Sequence, residues 1–263
     1  MTGLPELVVG AGPSGLGCAI ALAVECSVVI VDRLPVSGGQ AGWRDPAVRS
    51  LVRQAEHAGV EFRLGGTATR WDGERLLVAA PGEIRWNPGH NLFFAGGLRP
   101  ATAADIGLFG ERPAGVLPAT VAEHLLAAGV PLWQKPLIVG SGPWARRVAE
   151  LVHGLGGSIA VTATHKPDWA DEAVDCNGSL EIIGREHVRS ARVHTPAGVQ
   201  EVDCDALILA GDPRPTRNVE GALQEGDPRV TFVQPLVGES IQERSAAGQE
   251  IAQQWLRLNG GQG

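Results

Sequence analysis

The sequence contains no tyrosine and one methionine among its 263 residues. The missing tyrosine removes one common general acid. Cysteines number only four, Cys18, Cys26, Cys176 and Cys204, and no two stand in C-x-x-C spacing. That spacing rules out a thioredoxin-type redox pair and a zinc knuckle. The seven histidines are scattered, with no H-x-x-x-H or H-E-x-x-H pattern, so no metal site is expected. No apolar stretch reaches the roughly 18 residues that mark a membrane span. Positive charge is in deficit, with 22 Lys and Arg against 29 Asp and Glu and a net charge of -7. Nucleic acid and anionic membranes are therefore poor partners. The short stretch ahead of the first apolar run does not read as a signal peptide, so a cytoplasmic protein with no leader and with reduced thiols is expected.

What the chain does have is glycine, 36 residues of it, within an ordinary globular balance of 44% hydrophobic and 19% charged residues. The most informative feature is a near-repeat. Leu-Val-Val-Gly-Ala-Gly-Pro at 7–13 returns as Leu-Ile-Val-Gly-Ser-Gly-Pro at 137–143. Each copy is a short apolar run that ends in Gly-x-Gly-Pro and opens onto a helix-like stretch. Strands are expected at 6–10, 27–31, 60–64, 91–95 and 230–233, with helices at 13–25, 47–58 and 239–258. The pieces 68–71 and 76–80 flank an Asp72-Gly73 turn signal and predict a hairpin. In the middle of the chain, helices are expected at 120–128 and 143–155, and strands at 137–140, 158–163, 179–183, 189–195 and 206–210. The Pro- and Gly-rich passage 98–118 reads as connection. Strands alternating with helices predict an α/β fold of parallel sheets with helices on both faces.

Gly10, Gly12 and Gly15 form Gly-x-Gly-x-x-Gly at a strand-to-helix junction. The first glycine permits the tight turn and the second admits a pyrophosphate against the backbone. The third lets helix and strand pack closely. Pro13 and Ser14 open the helix, whose first N–H groups face the phosphates. Asp32 closes the next strand, where its carboxylate can accept bonds from a ribose hydroxyl.

The stretch from Asp32 and Arg33 to Gly38, Gly39 and Gln40 resembles the FAD/NAD(P) flavoproteins with two dinucleotide-binding domains. Ala95, Gly96 and Gly97, leading into Arg99-Pro100, resemble the segment where that family's chain crosses to its second domain. Ala210-Gly211-Asp212-Pro213-Arg214-Pro215 resembles the return. The resemblance implies two Rossmann-like domains, the second inserted in the first: an FAD domain over 1–103 and 214–263, and an NAD(P)-binding-like domain over 104–213. It implies FAD held by Gly10, Gly12, Pro13, Ser14, Gly15, Asp32 and Arg33, with Gly38, Gly39 and Gln40 near the flavin ring. Ala95, Gly96 and Gly97 would line the same cofactor. Glu111-Arg112-Pro113-Ala114-Gly115-Val116 is similar to the FAD/NAD-binding subunits of heteromeric amine and amino-acid dehydrogenases, such as the proline, hydroxyproline and opine dehydrogenases and hydrogen cyanide synthase. That likeness implies an oxidoreductase subunit whose partner is a larger flavoprotein subunit.

The chain departs from the family pattern in three places. The second fingerprint keeps Gly140 and Gly142, with Ala145 as an allowed third position, but lacks the acid. Thr162 or Ala163 stands there, followed by Thr164, His165 and Lys166. Either NADP is preferred, its 2′-phosphate held by Lys166 or Arg146, or the site has lost its nucleotide. Trp144 in the turn favours loss. Near the C-terminus, Gln234-Pro235 replaces the family's Gly-Asp, and Gly238-Glu239-Ser240 follows. Finally, no catalytic residue can be placed at a flavin. Trp43 reads as a core or interface residue, and Cys18 as helix packing. Two alternatives stay open: an NAD(P)H-dependent flavoprotein reductase, and a non-catalytic scaffold holding ATP or ADP.

Overall fold

The structure is a computed structural model. It describes the chain apart from residues 1–2, 131, 177, 217–225, 234–239 and 260–263. The chain divides into two compact units, one of Met1–Leu98 with Pro215–Gly263 and one of Arg99–Arg214. The Gln234-Pro235 departure, with Gly238 and Glu239, lies outside the described residues.

The first unit opens with Glu6–Val9 (β1), Pro13–Leu22 (α1), Val28–Asp32 (β2), Pro46–His57 (α2) and Glu61–Leu64 (β3). An antiparallel meander follows: Thr67–Trp71 (β4), Arg75–Ala80 (β5) and Glu83–Pro88 (β6). Leu92–Phe94 (β7) returns to the parallel sheet, and Leu98–Arg99 (β8) is the crossing. The second unit runs Leu108–Gly110 (β9), Val116–Pro118 (β10), Ala119–Ala127 (α3), Pro136–Val139 (β11) and Pro143–Gly154 (α4). It continues with Ala160–Thr162 (β12), Glu172–Val174 (β13), Leu180–Ile183 (β14), Ser190–Thr195 (β15), Gly198–Asp203 (β16) and Ala206–Leu209 (β17). Arg214–Pro215 (β18) leads back, and Val230–Phe232 (β19) and Ile241–Asn259 (α5) complete the first unit.

Each unit is built on a five-stranded parallel sheet, ordered β19-β7-β1-β2-β3 in the first and β10-β17-β11-β12-β13 in the second. The central strands read as unbroken apolar runs because both of their faces are buried. Leu7 and Val8, and likewise Leu137 and Ile138, are fully enclosed.

The covering layers differ from the expected pair of helical faces. In the first unit, Val8, Ile30 and Phe93 pack with residues of the three helices, including Leu16, Leu51 and Ala252. The opposite face, Leu7, Val29, Val31 and Leu92, packs on Trp71, Leu76 and Val78 of the meander. The second unit repeats the scheme. Ile138, Val161 and Ile208 meet the helices through Ala122, Leu126, Val148 and Val152. Leu137, Val139, Leu207 and Leu209 meet the sheet β16-β15-β14-β9. Each unit is thus helix, parallel sheet and a second sheet, antiparallel in the first unit and mixed in the second, where β9 runs parallel to β14. The passage 98–118, expected as pure connection, contributes β9 to that mixed sheet and β10 to the parallel one.

Candidate functional site

The residues singled out in the first unit converge at the C-terminal ends of β1, β2 and β7, the edge where open α/β sheets take their ligands. Gly10 has φ +108, and a Cβ there would lie 2.2 Å from the Ala95 carbonyl oxygen. At Gly15 a Cβ would lie 1.9 Å from the Gly10 carbonyl oxygen. Both glycines are fixed by close backbone approach. Gly12 differs: it is in extended backbone (φ -75°, ψ 175°), and a Cβ there would meet nothing within 4 Å. The open space lies beside the start of α1, where Gly12 is the N-cap with no side-chain cap and Pro13 occupies the first turn. The free amides of that turn can take an anion.

Asp32 is buried, and both of its carboxylate oxygens are engaged. Oδ2 accepts from the Ala11 N–H at 2.6 Å and Oδ1 from the Leu34 N–H at 2.7 Å. It therefore braces the glycine turn, in addition to the lone pairs it can still offer a ribose. The loop beyond it is tied to the same turn. Gly38 N–H donates to the Ala11 carbonyl at 2.8 Å, and a Cβ on Gly39 would come within 3.3 Å of Gly12 Cα. Gln40 Nε2 donates to the Leu98 carbonyl in a short contact. Gly96 is hemmed in by the Phe94 ring and the Thr216 carbonyl, and the Gly97 carbonyl accepts from Thr216 N–H at 2.8 Å. Arg33 is exposed. Trp43, expected in a core or an interface, is 52% exposed and lies beneath its neighbour, with the Arg44 guanidinium 5.2 Å from the ring centroid.

Sequence reasoning missed the support behind this cradle. A Cβ at Gly248 of α5 would sit 1.9 Å from the Ser14 carbonyl oxygen, and one at Gly17 would sit 2.1 Å from the Ser245 carbonyl oxygen. Two helices thus cross at glycine, immediately behind the N-terminal end of α1. The signal was present as small residues at helical spacing on both helices, Ser14-Gly17-Cys18 and Ser245-Gly248-Ala252.

The second fingerprint is closed where the first is open. A Cβ at Gly142 would lie 2.7 Å from the Ala210 carbonyl oxygen and 2.9 Å from that of Gly211. The Gly142 N–H already donates to the Ala210 carbonyl at 2.9 Å. Among the described residues no carbonyl takes the Gly12 N–H in this way. The strand register sets Ala163, not Thr162, where Asp32 stands in the first unit, and the Oγ1 of Thr162, one residue earlier, accepts from the Gly140 N–H at 2.8 Å. Ala145 is fully buried in the helix-side core. Both cations suggested for a 2′-phosphate are occupied. Arg146 pairs with Asp168 at 3.0 Å and Glu150 at 3.6 Å, and Lys166 Nζ donates to the Ala170 carbonyl at 3.0 Å. A cleft of about 680 Å³ does lie beside this turn, walled by Thr162–His165, Asp175 and Asp212 among others. Its two carboxylates disfavour a phosphate.

The two buried cysteines, Cys18 and Cys204, do not favour a thiolate. Burial pushes the Cys18 thiol up to about 12, and burial with the neighbouring Asp205 and Asp203 does the same at Cys204. Among the described residues no cluster of metal-ligating side chains occurs, and no helix is long and apolar enough to cross a membrane.

Comparison with known proteins agrees with this geometry. A model of the NAD(P)-binding Rossmann-like domain matches residues 8–49, from β1 through the glycine turn into α2. No curated protein matched the chain. Three solved structures are similar across almost all of it. L-proline dehydrogenase from P. horikoshii has a TM-score of 0.70 at 17% identity, over 98% of this chain and 56% of that one. Lactococcus lactis thioredoxin reductase has 0.68 at 16%, over 97% and 99%. A NAD-dependent persulfide reductase from A. fulgidus has 0.68 at 14%, over 95% and 58%. The chain therefore spans little more than half of the proline dehydrogenase it resembles. At these identities the likeness establishes the fold, which is that of the two-domain FAD/NAD(P) oxidoreductases. The comparisons lend no support to ATP or ADP as the ligand.

Proposed function

We propose that this chain is an FAD-dependent oxidoreductase, acting as the cofactor-binding and electron-relay subunit of a heteromeric amine or amino-acid dehydrogenase. The observation that carries the reading is the contrast at Gly12. The first turn leaves an uncapped helix start beside open space, and the second turn fills the same space with its own backbone. FAD bound in the first unit would supply the redox chemistry. The chain's own part is to hold and orient it. The α1 amides would take the pyrophosphate, and Asp32, which braces Ala11 and Leu34, would offer its remaining lone pairs to a ribose hydroxyl. Gly38, Gly39 and Gln40 form the loop against which the rest of the cofactor lies.

A partner fits the chemistry that the chain lacks. The buried thiols near 12 do not support disulfide reduction of the thioredoxin-reductase kind. Oxidation of the amine would then fall to a larger flavoprotein subunit, with this chain accepting or passing on electrons. A cytoplasmic location accords with unpaired cysteines.

The second reading, an NAD(P)H-dependent flavoprotein reductase, draws on the cleft beside Gly140. Absorbance of the purified chain, mass analysis of the released ligand and a titration with NADH and NADPH decide between them. The expected result is stoichiometric FAD with no reduction by either nicotinamide nucleotide. Rapid bleaching of the flavin by NADH or NADPH would establish the reductase instead. A colourless protein that releases no flavin, and binds none when it is added, overturns both.

A further inference from the structure

The meander of the first unit ends in a strand with a free edge. β6 pairs with β5 alone; among the described residues no strand lies on its other side. The tight turn closes at the Ala80–Glu83 pair, and the Gly89 N–H donates to the Glu74 carbonyl at 3.0 Å. In an antiparallel ladder, bonded pairs alternate with non-bonded ones. Glu83, Arg85, Asn87 and Gly89 therefore bond inward to β5. Ile84 and Trp86 turn their N–H and C=O groups outward to the open edge.

That edge carries only part of the usual protection against pairing, the charges of Glu83 and Arg85 and the proline at its end. Natural edges are blunted by lysine, by proline or by a bulge. Here the only proline, Pro88, stands at the strand's end. Ile84 and Trp86 share the outer face with Leu77 and Ala79, their cross-strand neighbours, and Ile84 is 72% exposed.

We propose that β6 is a self-association edge that pairs antiparallel with β6 of a second copy about a two-fold axis at Ile84. The residue pattern is self-complementary about that point. Glu83 falls opposite the second copy's Arg85, and Arg85 opposite its Glu83. Within one chain the same two side chains already form an ion pair along the strand, so pairing converts it into a four-charge ladder. Ile84 falls opposite its own copy, with its outward N–H and C=O placed for the two reciprocal bonds of a bonded pair. Trp86 falls opposite Gly82, whose missing side chain leaves room for the indole. The open edge of the second unit, β16, lacks this property, because its charged residues, Glu201 and Asp203, are both acidic and no register sets opposite charges against each other. The product is a six-stranded sheet made of two meanders. The inference does not depend on which cofactor the chain holds.

The test is sedimentation equilibrium of the purified full chain from about 1 to about 300 µM, the range in which a small interface associates. The expected result is a monomer–dimer equilibrium whose dissociation constant rises at least about tenfold in Arg85→Glu, which sets carboxylates against carboxylates. The exchange Glu83→Arg with Arg85→Glu restores the pattern in reverse, and should return the constant to within about threefold of the native value. Glu83→Arg alone serves as the second single reversal should Arg85→Glu fail to fold. Amide hydrogen exchange at Ile84 and Trp86 should slow as protein concentration rises. A chain that stays monomeric throughout, a dimer indifferent to charge reversal, or failure of the double exchange to restore it overturns the proposal. So does a different protein seated on this edge while the chain alone remains monomeric.

Discussion

Replacing Gly12 by alanine separates binding from folding more cleanly than any other change in the site. The backbone there is extended, at φ -75°, so alanine introduces no dihedral strain. Its Cβ would meet nothing within 4 Å. The ligand-free protein should therefore hold its stability or gain about 0.4–1 kcal/mol from a stiffer unfolded chain. A bound pyrophosphate would feel the same methyl directly, because it needs the space to reach the α1 amides. Loss of one or two charge-assisted hydrogen bonds costs about 2–4 kcal/mol, or roughly 30- to 1,000-fold in affinity. Stripping the cofactor, titrating FAD back by flavin fluorescence and melting the ligand-free protein measure both quantities. The control is Gly142→Ala, whose Cβ would lie 2.7 Å from the Ala210 carbonyl oxygen. It should lower stability by about 1–3 kcal/mol and leave FAD affinity alone. A Gly12→Ala protein that binds FAD as tightly as the native chain would refute the assignment of the turn as the cradle. A sharply lowered melting temperature without ligand would refute the open-space reading.

Asp32→Ala should cost about 1–3 kcal/mol even without ligand, because the Ala11 N–H is buried and loses its acceptor; Asp32→Asn, which keeps one carbonyl oxygen, should lose less, as paired thermal melts would show. Gly248→Ala drives a methyl into the Ser14 carbonyl and should destabilise by about 1–3 kcal/mol or more while weakening FAD retention through α1, both read from melts with and without cofactor. Burial pushes the Glu6 carboxyl above its ordinary range, against smaller opposing contributions from Asn91 and His90. Its folded pKa is raised, so its contribution to stability is complete below the unfolded value and is lost as pH rises through the folded one. The melting advantage of Glu6→Gln over the native chain should therefore be small near about pH 4 and grow towards about pH 8. A thiol reagent should modify Cys26 and Cys176 in the native protein, and Cys18 and Cys204 only on unfolding; early loss of all four thiols would contradict their burial.

Much of the fold could be read from local pattern, and the parts that escaped share a physical cause. The central parallel strands announce themselves as apolar runs because both faces are covered, and the helices after each fingerprint follow from composition. The meander's third strand gave no such signal. Glu83 to Trp86 are all exposed, so neither alternation nor an apolar run marks them. β16 escaped for the same reason, with its first four residues exposed. The second covering layer of each unit was expected to be helical and is a sheet instead. The sequence pattern of a strand buried on both faces does not say what buries it. The crossing of α1 and α5 joins Gly17 to Ser245, far apart in the chain; small residues at helical spacing mark the contact face of each helix, but local periodicity does not say which two helices meet.

The two fingerprints carry this point furthest. Leu-x-Val-Gly-x-Gly-Pro is the same in both units, and so is the succession of strand, turn and Pro-initiated helix. Their capacities differ because of a segment outside the motif, the end of the neighbouring strand. In the first unit β7 ends at Phe94, and the Ala95 carbonyl abuts Gly10 without reaching Gly12. In the second unit β17 ends at Leu209, and Ala210 and Gly211 pass across both glycines and take the Gly142 N–H. The missing acid, with Ala163 in the position of Asp32, marks the same divergence in a second place. The Thr162 hydroxyl, one residue earlier, satisfies Gly140 and adds no charge, while the Asp32 carboxylate ties Ala11 to Leu34 and so braces the turn against the next strand. A glycine fingerprint therefore specifies a turn that can bind a dinucleotide. The backbone of the adjacent strand decides whether the space in front of that turn is left for one.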